Sequence, residues 1–154
     1  MAAKTFRARI ADDGGGKAYV VLPFDPDAIW GPRPRHLLRG VFNGRKFRGS
    51  FDKAGGEWRC SLGPVLRRDL NVDVGDDVAL ILEPEGPQRQ ELDPDIAAAL
   101  AAEPEAAAFF DGLAQFYRKA YLTWVTATKR KPDERARRIA EFVTLLKAGK
   151  KARD

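Results

Sequence analysis

His36-Leu37-Leu38-Arg39-Gly40-Val41-Phe42, Asn43-Gly44, Arg45-Lys46-Phe47-Arg48-Gly49-Ser50-Phe51 is the stretch that decides the fold. Two strand-like runs flank an Asn-Gly pair. A type I′ turn needs positive φ at both central positions, and Asn followed by Gly tolerates that best. The segment therefore predicts an antiparallel hairpin, and a helix over Val41 to Phe47 is incompatible with it.

Working outward, the flanking chain has the same character. Thr5 to Ile10 alternates, with Phe6, Ala8 and Ile10 on one face and Thr5, Arg7 and Arg9 on the other. That is the pattern of a half-buried strand. Gly14-Gly15-Gly16 is a turn; it lacks the spacing of a phosphate-binding loop and no helix follows it. Lys17 to Leu22, Glu57 to Leu62 and Val78 to Leu82 are further strands. Asp25 and Pro26 start a short helix that Gly31 ends, and Ile29 and Trp30 are expected to plug the sheet beneath. Val65 to Asn71 is a second short helix. At Gly75-Asp76 a turn is expected in which an Asp carboxylate accepts backbone N–H bonds. Six or seven short strands at such close spacing imply a small barrel rather than an open α/β sheet.

The segment Glu83 to Gln90, with Pro84, Gly86 and Pro87, breaks the composition. Helical signals follow: Asp93-Pro94 through Ala102, a second from Pro104, a third from Gln115 to about Lys129, and a fourth from Pro132 to Ala148 with Gly149 as its stop. The expectation is an α+β chain, with a barrel over residues 1–86 and a helical region over 87–154 packed on it. Trp124, Phe142 and Leu146 are expected to contact the barrel or neighbouring helices.

The chain has 154 residues, enough for one compact domain or two small ones. Its single cysteine, Cys60, alternates with Trp58 and Leu62 and reads as a buried thiol; one cysteine fits a reducing cytoplasm. No window approaches the ~20 apolar residues of a membrane span. A soluble, cytoplasmic protein is expected.

Net charge is +5, and its distribution is uneven. Glu91 to Asp111 holds six acidic and no basic residues. Gly112 to Asp154 holds twelve basic and four acidic, a local net of +8. Either the first segment folds against the second and neutralises it, or a basic surface is left for nucleic acid or another polyanion. The candidate anion-binding residues are Lys129, Arg130, Lys131, Arg135, Arg138 and Lys150. Arg135 lies at the edge of the apolar stripe Ile139, Phe142, Val143 and Leu146, so burial there requires a carboxylate or carbonyl partner. Tyr117, Tyr121 and Trp124 fall at i, i+4 and i+7. They suit a core stripe first and a base-stacking platform, with Arg118 and Lys119 beside it, second. Arg39, Arg45 and Arg48 around the hairpin form a second candidate basic surface.

Catalytic patterns are mostly missing. His36 is the sole histidine, and no His or Cys pair has metal-ligand spacing. Asp12-Asp13 and Asp76-Asp77 are turn residues. No catalytic residue, metal or cofactor is implied. A pocket on which His36, Arg39 or Arg67 converge would favour an enzyme.

Tyr19 to Asp25, Arg39 to Gly44, Phe47 to Ser50, Leu66 to Val72 and Gly75 to Val78 together resemble a bacterial domain of unknown function with a double-split β-barrel fold. More remotely, the Gly75-Asp76 turn is similar to that of AbrB-type regulators. Tyr117 to Trp124, Lys129 to Lys131, Arg135 to Ile139 and Gly149-Lys150 resemble the YdeI/OmpD-associated bacteriocin-protection family. One departure is Glu134, where that pattern has Thr; Asp133 is expected to start the helix instead. The resemblance implies a non-catalytic bacterial protein that binds an unknown protein partner or a polyanion. The alternative is a nucleic-acid-binding module using the basic helices.

Overall fold

The computed structural model describes residues 3–128 and 130–153. The chain forms two compact units, residues 1–85 and 86–154.

The first unit is a curled antiparallel sheet of seven strands: β1 (Lys4–Arg9), β2 (Ala11–Asp12), β3 (Ala18–Val21), β4 (His36–Phe42), β5 (Arg45–Ala54), β6 (Glu57–Leu62) and β7 (Asp77–Pro84). Their order is β1-β7-β4-β5-β6-β3-β2. β1 and β2 stand at opposite ends of that order, yet only Ile10 separates them in the chain. The sheet therefore curls until its two ends are consecutive residues, a barrel-like closure that leaves little free edge. β5 bridges in the same way: Arg45 to Phe51 pairs with β4, and Asp52 to Ala54 pairs with β6.

The hairpin expected at Asn43-Gly44 joins β4 to β5, with φ of +50° and +79° at the two positions. Asn43 does more than turn the chain. Its N–H donates to the Ala79 carbonyl at 2.8 Å, and its side-chain Oδ1 accepts the Ala79 N–H at 2.8 Å. The turn thus prolongs the β4–β7 ladder on the side away from β5. Two glycines let strands approach closely. A Cβ on Gly40 would lie 1.8 Å from the Ile81 carbonyl oxygen, and one on Gly49 would lie 2.6 Å from the Phe47 ring and 2.8 Å from the Cys60 sulfur.

The alternation expected for β1 holds: Phe6 and Ala8 pack on a core that includes Val20, Leu38, Phe42, Phe51 and Leu80. The helix α1 (Pro26–Trp30) is capped by the Asp25 carboxylate, which accepts the Asp27 N–H at 3.0 Å. Trp30 is buried, but Ile29 is exposed, contrary to expectation. A five-residue helix has one inward face, and Pro26 and Trp30, at i and i+4, fill it. α2 (Pro64–Leu70) ends at Asn71 in the left-handed conformation, φ +57°. At the next turn the Asp76 carboxylate accepts the Asp73 N–H at 2.8 Å, as expected.

Among its described residues the second unit has a 3-10 turn at Arg89–Glu91 and four α-helices: α3 (Pro94–Ala101), α4 (Pro104–Asp111), α5 (Gln115–Thr126) and α6 (Pro132–Lys147). Three begin with a proline, where the absent N–H costs nothing. Ile96, Leu100, Phe110, Tyr121, Phe142 and Leu146 are buried in a core of its own, and Trp124 packs partly buried against it. α5 is shorter than the sequence suggested. The Thr128 hydroxyl donates to the Val125 carbonyl at 2.6 Å and competes with the helical pattern there. α6 starts without a side-chain cap; Asp133 lies in its first turn but caps nothing. Among the described residues no helix is long and apolar enough to cross a membrane.

The two kinds of glycine separate experimentally. Gly44→Ala places Ala at positive φ in open space and should cost about 1–2 kcal/mol. Gly40→Ala drives a methyl into a backbone oxygen and should cost about 3 kcal/mol or more. Urea denaturation of both variants measures this, and equal losses would contradict the close-approach explanation.

Candidate functional site

In the helical unit the cations divide by partner. Arg135 of α6 reaches the start of α3, where Asp95 takes its Nε and Nη2 at 2.7 and 2.8 Å and Asp93 takes Nη2 at 2.9 Å. Asp93 occupies the cap position of α3 yet makes no capping bond, because its carboxylate is engaged by Arg135. Hydrogen bonding from Arg135 holds the Asp95 carboxyl below its ordinary range. Lys147 pairs with Glu103 at 3.3 Å, and Asp111 holds Arg89 at 2.9 Å. Among the described basic residues after Gly112, the acidic segment pairs with two, Arg135 and Lys147.

Arg118 is a different case. It is 1% exposed and donates to the carbonyls of Leu113, Asp111 and Pro87 at 2.7–2.8 Å, with its guanidinium over the Phe110 ring. It fastens the end of α4 and the Gly86–Gln88 segment and belongs to the core, not to a stacking surface.

Two further cations, Arg138 and Arg153, stand beside the Trp124 ring. Arg130, Lys131 and Arg138 line one open groove at the α5–α6 turn, with Thr128 and Glu134. Arg138 pairs with Glu134 at 3.2 Å, donates to the Trp124 carbonyl at 2.8 Å and stands 5.2 Å from the Trp124 ring. Glu134 also binds Arg137. Among the described residues, Arg130 and Lys131 have no carboxylate partner. Lys129 lies outside the described residues.

The end of α6 brings in two cations that the sequence reading passed over. Gly149 takes φ +74°; its N–H donates to Leu146 and the Lys150 N–H to Leu145, both at 2.9 Å. That double bond pattern reverses the chain after α6. The Lys150 carbonyl then accepts the Tyr121 hydroxyl at 2.6 Å. The tail is laid on α5, with Lys151 5.8 Å from the Tyr117 ring and Arg153 4.7 Å from the Trp124 ring. Tyr121 is thus core, while Tyr117 and Trp124 are partly exposed beneath cations. The signal available in the sequence was Gly149 followed by Lys150-Lys151-Ala152-Arg153, opposite an aromatic stripe.

The second basic surface is internally occupied. Arg39 pairs with Glu83 at 3.2 Å across the β4–β7 ladder. Arg48 makes a two-pronged pair with the buried Glu85 at 2.8 and 3.2 Å, and Arg45 donates to the Asp69 carbonyl at 2.9 Å.

Residues 6–82 match the family described as Domain of unknown function (DUF1905). The chain belongs to that family. Residues 90–149 match a second family, described as Bacteriocin-protection, YdeI or OmpD-Associated, in the order that the resemblance implied. Among curated proteins none matches the chain.

Within the DUF1905 domain, His36 is fully buried. Its Nε2 lies 2.7 Å from an Asp27 oxygen, and it packs edge-on against Trp58 at 4.8 Å. Its Nδ1 has no partner among the described residues. A neutral ring donating through Nε2 fits this site, because protonation would add a buried N–H with no acceptor. Burial lowers the His36 pKa below its ordinary 6.5, and the Asp27 bond opposes this in part. Arg67 donates to the Leu62 carbonyl and Arg39 holds Glu83, so the three groups do not converge. Cys60 is buried, and desolvation pushes its thiol up to about 12.

The depressed pKa has a consequence with a definite sign. Below pH 6.5 the unfolded chain protonates His36 while the folded chain resists. The stability His36 contributes above 6.5 is therefore lost as pH falls toward its folded pKa, and then levels off. Between about pH 7 and 5, wild type should lose stability more steeply than His36→Gln in chemical denaturation. Parallel pH curves would contradict the buried neutral imidazole.

Proposed function

We propose that this chain is a non-catalytic, cytoplasmic bacterial binding protein whose helical unit takes phosphate-bearing polyanions. The bacteriocin-protection description of the family matched by that unit supplies the biological context. The observation that carries the binding reading is the sorting of cations in the helical unit. Arg135 and Lys147 are consumed by the acidic segment, and Arg118 by carbonyls. Arg130 and Lys131 line a groove with Arg138 and Glu134, and among the described residues neither of the two has a carboxylate partner. Exposed cations without partners cost little to bring to a phosphate, because no existing pair must be broken first. The non-catalytic reading is supported by the use of His36 and Cys60: the two groups best suited to acid–base and nucleophilic work are both built into the core of the DUF1905 domain.

Inorganic polyphosphate tests this reading with a ligand that carries charge alone. Wild type should bind it with an affinity that falls steeply with salt. Replacing Lys129, Arg130 and Lys131 together by Ala should weaken binding about 10-fold or more at low salt and flatten the salt slope. Arg39→Ala with Arg48→Ala should leave binding unchanged. No binding by wild type at low salt would overturn the proposal.

A further inference from the structure

If the helical unit takes polyanions, its aromatic rings decide which one. A bare phosphate chain needs cations and nothing else. Here Tyr117 and Trp124 lie partly exposed on α5, each with a tail cation over its ring, and Phe116 beside them is 72% exposed. The Phe116 and Tyr117 rings meet edge to face at 5.3 Å. Trp124 meets both groups of cations: Arg138, which lines the turn groove, stands 5.2 Å from its ring, and Arg153 of the tail 4.7 Å.

We propose that this face takes single-stranded nucleic acid, with bases stacked on Trp124 and Tyr117 and phosphates met by Arg130, Lys131 and the tail cations. The two rings are seven positions apart on the helix, about 10 Å along the axis, the length of roughly three stacked nucleotides at about 3.4 Å each. A base and a guanidinium use the same ring face. A base that stacks on Trp124 displaces Arg153 from it and frees that guanidinium for the neighbouring phosphate. Stacking of this kind is indifferent to base identity, since every base has a π face. In a duplex those faces are already covered by neighbouring base pairs, so a duplex meets the cations alone. The small cavity between α5 and the tail, lined by Ala120, Tyr121, Lys151, Ala152 and Arg153, lies where the strand would pass.

This ligand class rests on the polyanion reading, and an abasic strand separates the two. The full-length protein is titrated at low salt with a labelled thymidine oligonucleotide of about 12 nucleotides, with an abasic strand of equal phosphate count, and with a duplex. The thymidine strand should bind about 10-fold tighter than the abasic strand and also tighter than the duplex per strand end. It should also quench tryptophan emission, and the abasic strand should not. Trp30 and Trp58 are buried in the other unit, so the responding tryptophan is Trp124. Trp124→Leu should remove the quenching and the preference. Because that side chain packs partly on the core, Arg153→Ala provides a second variant, in which phosphate binding weakens while quenching by thymidine persists. Equal affinity for thymidine and abasic strands, or a preference for duplex, overturns the stacking proposal and leaves polyphosphate binding standing. Binding of none of the three, together with no binding of polyphosphate, removes both.

Discussion

The contact between Arg135 and the pair Asp93 and Asp95 fixes what the helical unit can offer to a ligand. It joins α6 to the start of α3 with three charge-assisted hydrogen bonds, and the arginine side chain is only 12% exposed. A guanidinium held so far from solvent needs both carboxylates. Losing them would leave a desolvated charge, which costs far more than an exposed ion pair contributes. Six acidic residues face twelve basic ones, so a surplus of cations is set by composition. Spending two of the six on one arginine widens it.

A second constraint gives the surplus its shape. Gly149 at φ +74° closes α6 with two backward N–H bonds, and the Tyr121 hydroxyl then catches the Lys150 carbonyl. One local device and one long-range hydrogen bond lay Lys151 and Arg153 over rings on α5, where Arg138 already stands beside Trp124. Cations and rings that are far apart in the chain become one mixed surface. The DUF1905 domain shows the opposite outcome. There Arg39 faces Glu83 across the β4–β7 ladder, Arg48 holds the buried Glu85, and Arg45 bonds the Asp69 carbonyl, so the basic residues around the hairpin are internally engaged.

Much of the fold was legible because its signals are local. The Asn43-Gly44 turn, the Asp25 cap, the Asp76 turn and the prolines that open α3, α4 and α6 each act within a few residues. What local pattern does not encode is which partner a side chain finds across the fold. The Asn43 carboxamide binding Ala79 could not be read, since β7 lies 36 residues away. Arg118 reads in sequence as a cation among aromatics, and only the meeting of three carbonyls, from Pro87, Asp111 and Leu113, makes it core. Hydrophobicity alone points Ile29 inward, whereas Pro26 and Trp30 fill the one inward face of a five-residue helix. Of the candidate site residues, Arg130, Lys131 and Arg138 come together in one groove, while Arg135 is held by α3. Lys151 and Arg153 went unremarked because their role depends on the reversal at Gly149.

The central claim is that partner geometry, rather than net charge, separates the cations that hold the fold from those that bind. Arginine side-chain N–H resonances, followed by NMR during titration with inorganic polyphosphate, test this residue by residue. The account predicts that Arg130 and Arg153 shift with ligand while Arg118, Arg135, Arg39 and Arg48 stay in place. Shifts centred on Arg135 or on the Arg39–Arg48 face, with Arg130 and Arg153 unmoved, would contradict it.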